Sequence, residues 1–169
     1  ERMAAEERQR QQEESADRAA AAERKRAESE QRAEAERDRA ARAHRAAVSE
    51  AQKAEGNAAF KEGRYADAVQ AYTTAIDADG SNATLYSNRS GAFSAAGEYA
   101  RALADAERAV ALRPEWAKGH TRQAAAMHGL GRYMAAVLAY DAALAIEPGN
   151  EMLLDARRQS SFTLAVEKD

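Results

Sequence analysis

An all-α fold of stacked helix pairs is predicted by three features of this sequence: a 34-residue period that begins near Ser49, a glycine–x–tyrosine turn inside each unit, and a helix breaker at its end. The turns carry Gly63 with Tyr65, Gly97 with Tyr99 and Gly131 with Tyr133, and the breakers are Gly80, Pro114 and Pro148. Alanines keep the same register. Ala68, Ala102 and Ala136 stand three residues beyond each tyrosine, and Ala75, Ala109 and Ala143 seven further on. A unit of this size cannot bury its own apolar face, so neighbours must stack to form a core, and the stack presents an extended binding surface.

Each element follows from its local pattern. The first 48 residues are mostly Ala, Glu, Arg and Gln, with no Gly, Pro or aromatic residue, and only Met3 and Val48 are larger apolar side chains. Acids and bases balance at 12 each. Glu6–Arg10, Glu14–Arg18, Glu28–Arg32 and Asp38–Arg42 have the favourable acid-before-base order at i, i+4. High propensity with such pairs predicts one long helix despite the missing apolar stripe. A solvated spacer with weak self-association fits this composition; a coiled coil is the alternative, and its seam would be mostly alanine.

The repeats predict helix pairs over 51–62 and 66–78, 83–96 and 100–112, and 117–130 and 134–146, because apolar residues recur at helical spacing. Phe60, Tyr72, Ile76, Phe93, Leu103, Val110, Met127, Val137, Tyr140 and Leu144 are the larger core residues. Beyond Pro148, Gly149 and Asn150 offer a turn and an N-cap for a helix over 151–166. Leu154, Arg158, Ser161, Phe162 and Ala165 share one face there, and Leu153, Leu154 and Phe162 are expected to cap the last repeat. The chain thus divides into 1–48, a charged helix; 49–148, three repeats; and 149–169, a C-terminal cap. The repeat pattern resembles the tetratricopeptide repeat, a 34-residue helix–turn–helix unit with small residues at helix contacts and Pro at its end, over about two-thirds of the chain.

Composition narrows the function. The 28 acids and 25 bases give a net charge of −3, and acids offset the arginines along the N-terminal segment, so a nucleic-acid-binding arm is not expected. The lack of cysteine removes disulfides and thiolate chemistry and suits a cytoplasmic protein. No apolar run matches a membrane span or signal peptide. A chain that starts at Glu1 is expected to be a piece of a longer protein. His44, His120 and His128 lack metal-ligand spacing with nearby acids, and no nucleophile elbow, phosphate loop or His-Glu metal motif occurs, so neither a metal, a cofactor nor catalysis is expected.

Five polar residues stand out on the first helices of the repeats, the helices that line the concave side in the family the pattern resembles. Lys53 with Asn57 and Lys118 with Arg122 are i, i+4 pairs, and Asn88 and Arg122 are one period apart. Asn is a poor mid-helix residue, because its side chain competes for backbone hydrogen bonds. Three cations and two amides without an intervening acid suit a carboxylate-rich ligand.

The stretches Lys53-Ala54-Glu55-Gly56-Asn57, Leu85-Tyr86-Ser87-Asn88-Arg89-Ser90 and Trp116-Ala117-Lys118-Gly119-His120-Thr121-Arg122 resemble the two-carboxylate clamp of tetratricopeptide co-chaperones of the Hsp-organising (stress-inducible) family. That resemblance implies an adaptor for the C-terminal Glu-Glu-Val-Asp of 70-kDa and/or 90-kDa heat-shock chaperones. Lys53, Asn57 and Asn88 would hold the terminal carboxylate, and Lys118 and Arg122 would engage the aspartate side chain and nearby peptide oxygens. Phe60, Gly91 and Ser94 would line a pocket for the ligand's apolar side chain. Ala95, His128 and Gly129 stand where some relatives carry a longer cation or larger apolar group, which leaves the choice of chaperone open. A scaffold indifferent to peptide carboxylates is the competing reading.

Overall fold

The computed structural model describes residues 2–166, and these are helical throughout apart from turns. Seven helices follow in order: α1 (Arg2–Lys61), α2 (Tyr65–Ala78), α3 (Ala83–Ala95), α4 (Tyr99–Leu112), α5 (Ala117–Gly129), α6 (Tyr133–Ile146) and α7 (Glu151–Val166). Two compact units divide the chain between His44 and Arg45.

In the first unit, residues 2–44 are exposed on every side. Glu14 and Arg18 approach to 3.9 Å as the i, i+4 order predicts, while Glu6 meets Arg2 at 3.8 Å. Such solvated pairs contribute only about 0.2–0.5 kcal/mol each, so propensity carries most of the helix here.

The second unit is built by the repeat register. The six register alanines, Ala68, Ala75, Ala102, Ala109, Ala136 and Ala143, are all at 0% exposure. A methyl group is what lets helices approach this closely, and larger residues fill the gaps beside it. One cluster joins Ala59, Ala68 and Tyr72 of the first repeat to Ala92 of the second; another joins Phe93, Ala102 and Leu103 to Ala126 of the third. The core therefore lies between units, as a stack requires. From α2 onward each helix packs on the next, and α3 also meets α5.

The turns explain the glycines. Gly63, Gly97 and Gly131 have φ of 76°, 79° and 73°, a left-handed conformation that side chains disfavour. Each ends a helix with the same pair of bonds. In the first, the Gly63 N–H reaches the Phe60 carbonyl at 3.1 Å and the Arg64 N–H reaches Ala59 at 2.9 Å, satisfying two otherwise orphaned carbonyls. The following helices begin at the tyrosines, one residue earlier than the pattern suggested. At the other end, Arg113 and Glu147 each precede a proline and leave the helical region, with ψ of 78° and 73°, which ends α4 and α6.

One polar lock was not evident from the sequence. Arg89 grips Asp105 with two nitrogens, at 2.7 and 2.8 Å, and its third nitrogen reaches Thr73 at 3.0 Å, tying α2, α3 and α4 together.

The capping helix corrects the expected face. Asn150 caps it as anticipated, accepting from the Leu153 N–H at 3.3 Å. The inward stripe is Leu153, Ala156, Arg157, Ser160 and Leu164, with Leu154 and Ser161 of the expected face half-buried beside it, whereas Arg158 and Ala165 are exposed and Phe162 keeps 71% of its surface. Two partners set this rotation: Arg157 binds Asp141 of α6, and buried Ser160 binds His128 of α5 at 2.9 Å. Capping falls to Leu153, not Phe162.

Candidate functional site

The groove side of the second unit is assembled from α1, α2, α3 and α5. A cavity of about 180 Å³ opens there between Asn57, Phe60, Lys61, Tyr72, Asn88 and Arg122. Four residues singled out from sequence therefore meet at one place, contributed by three repeats.

Asn57 is the hub. Its side-chain oxygen accepts from the Tyr72 hydroxyl at 2.8 Å and from the Asn88 amide at 3.2 Å. With the oxygen occupied twice, the Asn57 NH₂ group and the second N–H of Asn88 remain as donors toward the cavity. Tyr72 is 2% exposed, and its ring fits only because residue 56 is glycine: a methyl carbon there would come within 2.6 Å of the ring. Burial raises the Tyr72 hydroxyl above its ordinary pKa, with Arg122 pulling the other way, so it stays a neutral donor that fixes the Asn57 amide.

Arg122 lies across Gly91, where an added methyl carbon would be 3.0 Å from its Cζ. Gly91, expected from sequence to line the pocket, serves instead as a bed for the guanidinium and is not among the residues that line the cavity. The Arg122 Nε is buried without a hydrogen-bond partner. Burial lowers the Arg122 pKa, while nearby Tyr72 acts in the opposite sense; the side chain remains cationic. A buried cation with an unmet donor is poised for an anionic acceptor. Ser94 likewise has a buried, unpartnered hydroxyl and stands apart from the cavity lining.

The two lysines sit differently. Lys118 is exposed, one turn from Arg122, with its ammonium 5.8 Å from the Trp116 ring centroid. Partial burial, then the like charge of Arg122, lowers its pKa. Lys53 is ion-paired to Glu50 at 2.6 Å, which corrects the expectation that no acid intervenes among the groove cations.

Sequence reading placed Tyr72 in the core and passed over Lys61 and Glu50. A buried tyrosine needs a partner for its hydroxyl, and Glu50 and Lys61 stand one turn to either side of the Lys53–Asn57 pair; those were the available signals. Among the other groove positions, His128 is spent on Ser160 and Gly129 leaves room for the Tyr99 ring, while His120 bonds the Pro114 carbonyl at 2.7 Å. Among the described residues no three side chains are grouped to hold a metal ion, and no helix is long and apolar enough to cross a membrane.

Known proteins show the same arrangement of repeats. A family profile described as tetratricopeptide repeat matches residues 54–82. The Hsp70-Hsp90 organizing protein of Triticum aestivum is 46% identical over 106 residues, which is 63% of this chain and 18% of that relative; the chain thus spans under a fifth of its length. The first TPR of Spaghetti (RPAP3), bound to the HSP90 peptide SRMEEVD, is 33% identical with a TM-score of 0.68, over 71% of this chain and 95% of that one. The second TPR domain of the human RPAP3 protein, in complex with the HSP70 peptide SGPTIEEVD, is 32% identical with a TM-score of 0.66, over 71% and 98%.

Proposed function

We propose, from the premise that this chain belongs to the tetratricopeptide-repeat family, that it is a non-catalytic co-chaperone adaptor binding the acidic Glu-Glu-Val-Asp tail of 70-kDa and/or 90-kDa heat-shock chaperones. The observation that carries this reading is the convergence of Asn57, Asn88 and Arg122 on one cavity, with amide donors free and the Arg122 Nε buried and unmatched. Lys53, Asn57 and Asn88 hold the terminal carboxylate; Lys118 and Arg122 take the aspartate side chain and nearby peptide oxygens. Phe60 borders the cavity, so it supplies the apolar wall for the preceding side chain; Gly91 and Ser94, the other two pocket residues of this reading, stand outside the lining. Structural relatives in complex with peptides ending in EEVD support the ligand class.

The same reading divides the labour along the chain. Repeats at 49–148 bind, the segment 149–169 caps them, and 1–48 is a spacer that self-associates weakly at most. A cytoplasmic location belongs to this reading of the chain as a co-chaperone adaptor.

The test is a calorimetric titration with a peptide ending in Glu-Glu-Val-Asp, once with a free C-terminus and once amidated. Amidation removes a charge that several donors share, so affinity should fall about tenfold or more, the equivalent of about 1.4 kcal/mol. Equal binding of both peptides would leave the scaffold reading in its place.

A further inference from the structure

Glu50 lies on the groove side of α1, because residues 50, 53 and 57 follow i, i+3, i+7 spacing on one helix face. Its two carboxylate oxygens both sit on the Lys53 ammonium, Oε1 at 2.8 Å and Oε2 at 2.6 Å. The pair is unequal: the Lys53 side chain keeps 26% of its surface and Glu50 keeps 64%. The lysine is folded into the wall, while the carboxylate stands at its edge and can swing into solvent. The backbone beneath them is fixed, since Ser49 is buried and its hydroxyl donates to the Ala75 carbonyl of α2 at 3.1 Å. At Lys118 the field is set by burial and then by Arg122, and at Arg122 by burial and then by Tyr72, with no carboxylate taking part.

We propose that Glu50 is a resident competitor in the groove: it occupies Lys53 while the site is empty, and an acidic ligand tail must displace it to reach that cation. The inference rests on the reading of the groove as a carboxylate site. Glu50 and Lys53 together carry no net charge, so an approaching anion is drawn chiefly by Lys118, Arg122 and Lys61. Docking the terminal carboxylate on Lys53 exchanges one ion pair for another and leaves the Glu50 charge close to the ligand. An anion that touches Lys53 alone gains nothing from the exchange. A tail that also reaches the Asn57–Asn88 amides and Arg122 does gain, so Glu50 lowers affinity for all acidic ligands and raises discrimination among them.

The Glu50→Gln variant keeps the shape, suits an exposed helical position and removes the charge. The full chain and this variant are titrated with the Glu-Glu-Val-Asp peptide, free and amidated, at low and physiological salt. E50Q should bind the free peptide about two- to fivefold more tightly, the range for one exposed ion pair, and the gain should shrink as salt rises. The gain should shrink when Lys53→Met is added, because there is then no cation to contest and only the repulsion between Glu50 and the ligand is left to relieve. An E50Q affinity equal to or weaker than wild type, in a protein that still discriminates against the amide, overturns the competitor role alone. A wild-type chain indifferent to amidation overturns the carboxylate site and this inference with it.

Discussion

Residues 2–44 of α1 expose every side chain to water, whereas the repeats hold six alanines at 0% exposure and form clusters where tyrosine, phenylalanine and leucine meet an alanine of the next unit. Both stretches are rich in alanine, and both are helical. In the first, alanine acts through propensity alone, and each residue's stability depends on its own turn. In the second, alanine acts through its small size, and stability comes from partners a repeat away. The difference has a functional side: a groove can be aimed only where helices are fixed against one another, and all the groove residues lie in the packed stretch.

The comparison makes its largest demand on Arg89. Arg89→Ala leaves Asp105 at 6% exposure without its cation. That should cost about 3 kcal/mol, the lower end for breaking a buried pair, and should lower the thermal midpoint of the repeats. Glu14→Ala, which removes a solvated partner in residues 2–44, should shift the same midpoint negligibly, since such pairs are worth about 0.2–0.5 kcal/mol. Matching shifts in the two variants, read by thermal circular dichroism, would erase the distinction.

Within the packed stretch, function and stability should separate. Arg122→Ala removes a charge-assisted contact and should weaken binding of the Glu-Glu-Val-Asp peptide about tenfold, with little change in helicity. Titration beside a thermal melt checks both halves of the expectation. Near-wild-type affinity would remove Arg122 from the site.

How far the sequence could be read follows the same divide. The alanine register and the glycine turns were legible, because a period alone marks positions that must be small or left-handed. Asn88 and Arg122 were legible as groove residues because the repeat places equivalent offsets on one side, and Asn57 through its i, i+4 spacing from Lys53. The rotation of α7 was not. It is set by Arg157 on Asp141 and Ser160 on His128, contacts 16 and 32 residues apart that carry no periodic signature. The hydroxyl of Tyr72 escaped for the same reason, with its partner 15 residues upstream. Glu50 is a local neighbour of Lys53, yet the next units carry Thr84 and Lys118 at its register position, so no acid recurs with the period and a tally of groove cations passes over it.

A smaller effect is expected at the divide itself. Removing residues 1–44 should leave the melting of the repeats and their peptide affinity nearly unchanged, because among the described residues none that is buried or lines the groove lies in that stretch. Light scattering before and after truncation reads self-association; a stable dimer lost with the deletion would assign an alanine-seamed coiled coil to this stretch.

The most direct measurement of the central claim is side-chain NMR of the nitrogen-15-labelled chain during addition of the Glu-Glu-Val-Asp peptide. The NH₂ resonances of Asn57 and Asn88 and the Nε–H of Arg122, which has no partner in the empty groove, should shift together and saturate with one affinity, while amides of residues 2–44 stay in place. Shifts confined to residues 2–44, or saturation that leaves Arg122 Nε–H unmoved, would contradict the account.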